Sequence, residues 1–227
     1  MKNLLTIAFI AFSFLGLAEH SEVKVDHFTT VSAQGNFKVT LIKSDVEKVE
    51  VLNDDAELDD DKILVEVKGS ELSVKIKADA YKERDLEVIV YYKKITEINS
   101  KRGIWMVVKD PLEVDEMRIN CSNGGKVKAT VKCETVKLSI NAGGSIKLSG
   151  VAELAEYEIK AGGTIGAVNL DVASVYAKIL TGGEIICYAK DKLDIKINSG
   201  GTVSYKGEPE AYTEKIVISG TIEKLKN

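Results

Sequence analysis

The sequence predicts an all-β solenoid, and three observations carry that prediction. A Gly-Gly pair recurs at nearly constant spacing, starting at Gly124, Gly143, Gly162, Gly182 and Gly200, with Ser219-Gly220 as a degenerate sixth member. Intervals of 19, 19, 20, 18 and 19 residues mark stacked repeats, each too small to bury its own apolar face. Apolar residues keep one phase around every pair, and the composition is β-rich, with two prolines, one tryptophan and many Val, Ile, Thr and Lys.

The phase justifies the strands of each coil. Three residues after the first glycine stand Val127, Ile146, Ile165, Ile185 and Val203; five after it stand Ala129, Leu148, Ala167, Cys187 and Tyr205. Three before it stand Cys121, Ile140, Ile159, Ile179, Ile197 and Ile216; five before it stand Ile119, Leu138, Tyr157, Ala177 and Ile195. Period-two alternation on both sides predicts two short strands per coil, with odd positions facing inward. Equivalent residues would stack about 4.8 Å apart in parallel sheets. Glycine at the corner supplies positive φ and lets neighbouring coils approach. A hairpin meander or sandwich also uses Gly-Gly turns, but it does not require them at one phase every 19 residues.

The N-terminal half is less regular. The run "VSAQGNFKVTLIKSDVEKVEV" reads as strands around Gly35 and around residues 45–51. The run "KILVEVKGSELSVKIKA" reads as a hairpin turning at Gly69-Ser70, with Val65, Val67, Leu72, Val74 and Ile76 on its apolar face. An early coil is expected at Gly103. Residues 24–92 are therefore read as sheet that covers the open first edge of the solenoid, and 95–222 as its coils. Residues 19–227 form one domain.

Residues 1–18 read as a secretory signal peptide. Lys2 precedes the uncharged stretch 4–17, and Gly16 and Ala18 suit cleavage before Glu19. As a helix that stretch would rise about 21 Å, short of a hydrocarbon core of about 30 Å. No cysteine lies near the cut, so a lipoprotein is not expected.

The opening block and the glycine-containing coils together resemble the family of putative auto-transporter adhesins with a head GIN domain, typical of Bacteroidetes. The resemblance spans most of 28–220. It departs from the family's Gly-Ser-Gly-Asp style of corner in having Asn-Gly-Gly, Ala-Gly-Gly and Thr-Gly-Gly. It implies a right-handed, single-stranded β-helix in an exported bacterial protein, and it brings no catalytic residues.

The residues themselves offer little chemistry. His20 and His27 are the two histidines, too few and too isolated for Ser-His or Cys-His catalysis or a histidine zinc site. The acidic run at Asp54, Asp55, Glu57, Asp59, Asp60 and Asp61 lacks the alternation and central glycine of a calcium loop and reads as a solvated connection. Asp171 and Asp191 fall at position nine of adjacent coils, between Ala152 and Pro209, and would be the pair for a polysaccharide lyase or hydrolase. A lyase would also want a basic partner, and the arginines are Arg84, Arg102 and Arg118.

Cys121 and Cys187 take inward positions three coils apart, about 14 Å at the stack spacing, too far for a disulfide. Cys133 lies outside the aligned strands and is the candidate for reactivity. Trp105, Tyr81, Tyr91, Tyr92, Tyr188, Tyr205 and Tyr212 are candidate sugar platforms, with Tyr205 inward and Tyr188 outward.

No catalytic residue, cofactor site or metal site is assigned. A formal net charge of −4 argues against nucleic acid or an anionic membrane as partner. The expectation is a non-enzymatic, exported binding or adhesion module in the periplasm, at the outer membrane or outside the cell. Its ligand would be a carbohydrate or another envelope protein. The alternatives are a carbohydrate-active enzyme and a structural protein that forms homo-oligomers through sheet edges. The closing charges of "TIEKLKN" suit an edge that avoids stray pairing, as in a monomer or small closed oligomer.

Overall fold

The computed structural model describes residues 19–55, 57–77 and 82–226. The signal peptide expected over 1–18, and Tyr81, lie outside them.

Among the described residues the N-terminal half contains ten short strands: β1 (Glu19–Lys24), β2 (Thr30–Gln34), β3 (Lys38–Lys43), β4 (Lys48–Asn53), β5 (Ile63–Lys68), β6 (Glu71–Ile76), β7 (Leu86–Tyr92), β8 (Glu97–Lys101), β9 (Trp105–Val108) and β10 (Leu112–Glu113). Their pairing departs from chain order. β2 lies parallel to β6 on one side and β8 on the other, and β3 lies likewise between β7 and β9. The rung β2–β3 is thus sandwiched between β6–β7, which follows it in sequence, and β8–β9, where the chain continues upward. The remaining strands are antiparallel and close the start of the stack: β5 covers β6, β4 covers β7, and β1 covers β4. The antiparallel strands of the N-terminal section therefore cover the first edge, while β2, β3, β6 and β7 are themselves part of the stack. The β5–β6 hairpin has its expected register, Val65 opposite Val74 and Val67 opposite Leu72.

Above this base the chain coils in order through β11 (Glu116–Ser122), β12 (Lys126–Asn141), β13 (Ser145–Ala161), β14 (Thr164–Thr181), β15 (Glu184–Tyr188), β16 (Lys192–Lys206) and β17 (Ala211–Lys224). The result is a β-solenoid of about seven turns with coils of about 19 residues. Each coil has a leading arm before its glycine corner and a trailing arm after it, and every arm pairs in parallel with its equivalents. Ile140, Ile159, Ile179 and Ile197 form one ladder with no exposed surface; burying each contributes about 1.5–3 kcal/mol.

One detail differs from the expectation of two separate strands per coil. In β12, β13 and β14 the trailing arm runs into the next leading arm as one strand. The second corner is a bend in which the inward phase slips: Val131 is buried before it and Val136 after it. In β12 and β14 that bend contains no left-handed residue, whereas in β13 Gly150 stands at it with φ of +114°. The 20-residue interval is absorbed elsewhere, by a bulge that sets Ser149 opposite Asn169.

The glycine corner separates two needs. Gly162 has φ of +63°, and a Cβ there would meet nothing within 4 Å. Gly163 has φ of +107°, and its Cβ would lie 2.7 Å from Cγ2 of Ile140 and 2.9 Å from the carbonyl oxygen of Gly144. The first glycine supplies the turn; the second supplies both turn and space.

Candidate functional site

The outer face of the leading arms is built by the residues that alternate with the buried ladder. Two rows run along the stack. One reads Arg118, Lys137, Glu156, Tyr176 and the other Asn120, Ser139, Glu158, Lys178, each residue in register with the next. These eight, with Leu138 and Tyr157, line an open depression of about 530 Å³. Small Ser139 sits between the longer Asn120 and Glu158, so the row dips in its middle.

Hydrogen bonds fix the ends of the rows. Asn120 donates to Asn99 Oδ1 at 3.0 Å and reaches Glu97 Oε1 at 3.4 Å, while Asn99 donates to Glu97 at 3.1 Å. Lys178 pairs with Glu158 at 2.9 Å, and Lys137 lies 3.5 Å from Glu116, which also pairs with Arg118. Lys192 donates to the Tyr176 hydroxyl at 2.8 Å and orients an exposed ring; that bond raises the lysine's pKa. The face thus offers cations, carboxylates, an amide, a hydroxyl and one aromatic ring at strand spacing. The depression is too open to enclose a small metabolite.

The candidates from sequence fall elsewhere. Asp171 lies opposite Val151, and Asp191 donates its backbone N–H to Ala173. Both aspartates are exposed and out of step, because the bulge and the 18-residue coil shift the register between them; they do not form the stacked pair an enzyme would use. The acidic connection is tied to cations: Asp55 to Arg84 at 3.1 Å, Asp59 to Lys62 at 3.1 Å, Asp61 to Lys77 at 3.4 Å, and Glu57 to Lys82. No group of three or more metal-ligating side chains occurs among the described residues. His27 is exposed and bonded to Glu47 at 3.0 Å.

Cys121 and Cys187 are buried at their expected inward positions. Cys133 is half-buried, and burial pushes its thiol up to about 11. Burial is the cause acting on this candidate thiol, and it disfavours the thiolate. Apart from the Tyr205–Tyr212 pair, the candidate aromatics do not gather. Trp105 is exposed on the trailing-arm face between Lys38 and Lys126, Tyr92 is buried, Tyr91 bonds Glu50, and Tyr205 stacks on Tyr212. Alternation alone marks the two rows on the leading-arm face as outward; their alignment across coils follows from the register. The signal was available at four and six residues before each glycine pair.

The geometry can be set beside known proteins. The family model described as "Putative auto-transporter adhesin, head GIN domain" matches residues 27–209. Among solved structures, a putative adhesin from Bacteroides fragilis is 21% identical, with a TM-score of 0.75 over 92% of this chain and 97% of that one. A putative lipid binding protein from Parabacteroides distasonis is 23% identical, with a TM-score of 0.75 over 93% and 98%. A putative adhesin from Parabacteroides merdae is 23% identical, with a TM-score of 0.68 over 93% and 97%. At these identities the likeness is one of fold. No curated protein matches the chain.

Proposed function

The chain belongs to the family of putative auto-transporter adhesins with a head GIN domain, and from that premise we propose that it is a non-enzymatic, exported binding module. Its ligand face is the outer surface of the leading arms. The family and the N-terminal apolar stretch support export. It works in the periplasm, at the outer membrane or outside the cell.

The observation that carries this reading is the pair of rows around Ser139. An extended polysaccharide lying along the stack meets Asn120, Ser139 and Glu158 as hydrogen-bond partners for hydroxyls. Arg118, Lys137 and Lys178 serve as partners for acidic substituents, and Tyr176 as a ring for a sugar face. Rigid parallel strands hold these groups at fixed spacing, which lowers the ordering cost of binding.

The test is retention of bacterial and host polysaccharides on immobilised protein, with product analysis of the same samples. Retention without new reducing ends or unsaturated products, weakened about tenfold or more by Lys137→Glu with Tyr176→Ala, is the expected result. Retention that ignores those changes moves the ligand to another face, and products would replace the binding module with an enzyme.

A further inference from the structure

The two ends of the stack are finished differently. The first is closed by antiparallel strands, whereas among the described residues no strand pairs with the outer edge of β17. Its inward positions break the pattern of every coil below. Glu214 stands over Ile195, and Lys224 over Tyr205, at positions that are apolar in the preceding coils. Ile216 stands over Ile197 but is 44% exposed, and Val217 and Ile218 beside it are 53% and 77% exposed.

The charges and isoleucines are arranged symmetrically about the corner at Ser219. Glu214-Lys215-Ile216 precedes it and Ile222-Glu223-Lys224 follows it. The arms face each other across the core, as the Tyr205–Tyr212 stack at 5.6 Å shows. Counted from the corner, Glu214 and Lys224 stand equally far along the two arms, as do Ile216 and Ile222; within one copy Glu214 accepts from the Tyr212 hydroxyl and Lys224 pairs with Glu208.

We propose that this end face is the interface of a two-fold, end-to-end dimer with a second copy of this chain. The axis lies in the end face, parallel to the strands and midway between the arms. Rotation about it lays the leading arm of one copy antiparallel on the trailing arm of the other, and sets each residue over the one equally far from the corner on the opposite arm. Glu214 then meets the partner's Lys224, Lys215 the partner's Glu223, and Ile216 the partner's Ile222, each contact occurring twice. Residues directly opposite in an antiparallel pair share a face, and all three pairings satisfy that rule.

The other two-fold, perpendicular to the sheets, lays each arm on its own copy. It cannot bring Glu214 opposite Lys215, because neighbours on a strand point to opposite faces. Only the first arrangement uses both signs of charge. It also gives the edge backbone groups of β17 their missing partners and covers the exposed isoleucines.

Size sets the strength. Arms of seven residues at about 3.3 Å each make the end face about 23 Å long, and two sheets about 10 Å apart, with side chains on their outer faces, make it about 20 Å wide, or roughly 500 Å² per copy. The total of roughly 1,000 Å² lies at the lower limit for a specific interface. A reversible dimer with a Kd of roughly 1–100 µM is the expected consequence.

Sedimentation equilibrium of the purified protein between about 1 µM and 1 mM reads this directly. The expected result is a monomer–dimer equilibrium that Glu214→Lys or Lys224→Glu alone weakens at least about tenfold, since each places like charges together twice. The double exchange, Glu214→Lys with Lys224→Glu, restores the dimer, which a folding defect in either single variant would not allow. A monomer throughout the range would overturn the proposal and leave the inward charges as guards against edge pairing. A dimer indifferent to single reversals would overturn it equally, by placing the contact elsewhere.

Discussion

A Cβ on Gly163 would stand 2.7 Å from Cγ2 of Ile140, one coil below it. The isoleucine ladder and the glycine corner are therefore one packing unit: the methyl of each isoleucine fills space that the second glycine of the coil above leaves open. Gly183 repeats the relation with Ile159 at 2.8 Å, and Gly201 with Ile179 at 3.0 Å.

This relation separates two substitutions that look alike in sequence. Gly162→Ala meets no atom and carries only the strain of a left-handed alanine, about 1–2 kcal/mol. Gly163→Ala adds overpacking against Ile140 and the Gly144 carbonyl, and should cost about 3 kcal/mol or more. Urea unfolding of the two variants measures the difference; equal losses would contradict the division of labour between the glycines.

Tyr157 gives a second test. Its ring is buried at an inward position, and its hydroxyl has no hydrogen-bond partner. Burial, with the neighbouring Cys187 and Cys133, keeps that hydroxyl protonated well beyond the ordinary range. A buried, unsatisfied hydroxyl is costly, so Tyr157→Phe should leave the protein as stable as before or raise its stability by about 1–2 kcal/mol. The same unfolding experiment reads it, and a clear loss would mean that the hydroxyl has a partner after all.

Acid should loosen the N-terminal base. The Asp55 carboxyl is held below its usual range, first by the backbone N–H of Glu57 and then by the Arg84 guanidinium. Its contribution to stability is complete above the unfolded value of about 4 and is lost as pH falls through the lower folded value. The melting temperature of the wild type should fall across that acidic window. Asp55→Asn should melt lower at neutral pH and show a shallower fall, and parallel pH profiles for the two proteins would argue against the assignment.

The glycine period reveals the solenoid because each coil repeats one corner and one buried phase, so residues such as Ile146 and Ile165 can be aligned by counting alone. Counting fails where identity does not record spatial order. Nothing in the β2–β3 segment says that a later rung, β6–β7, will slide beneath it, since Val39 and Val88 are equally good neighbours for any parallel strand. It fails again at Asp171 and Asp191, which share a phase by number but not in space, because the bulge and the 18-residue coil shift the chain between them. The candidate ligand face was half legible: Arg118 and Lys137 are visibly outward, but their alignment into rows depends on register through successive coils. Charge at the inward position of Glu214 was visible too, yet its meaning required knowing that β17 is an open edge.

Cys133 carries the last prediction. Outside the aligned strands it reads as an accessible thiol, yet the side chain packs against the core and burial lifts its pKa to about 11. At pH 8 a thiol of that pKa is about one part in a thousand thiolate, against roughly a quarter for an unperturbed cysteine. Cys121 and Cys187, pushed up to about 12 by deeper burial, are less reactive still. Iodoacetamide at pH 8 should therefore leave the native protein unmodified over a time that fully labels a free cysteine, and add three groups once the chain is unfolded. Intact-mass analysis reads both states. Labelling of native Cys133 at the free-cysteine rate would mean that the bend at residues 133–135 opens readily, and that the stack is looser at its second corner than at its glycine corner.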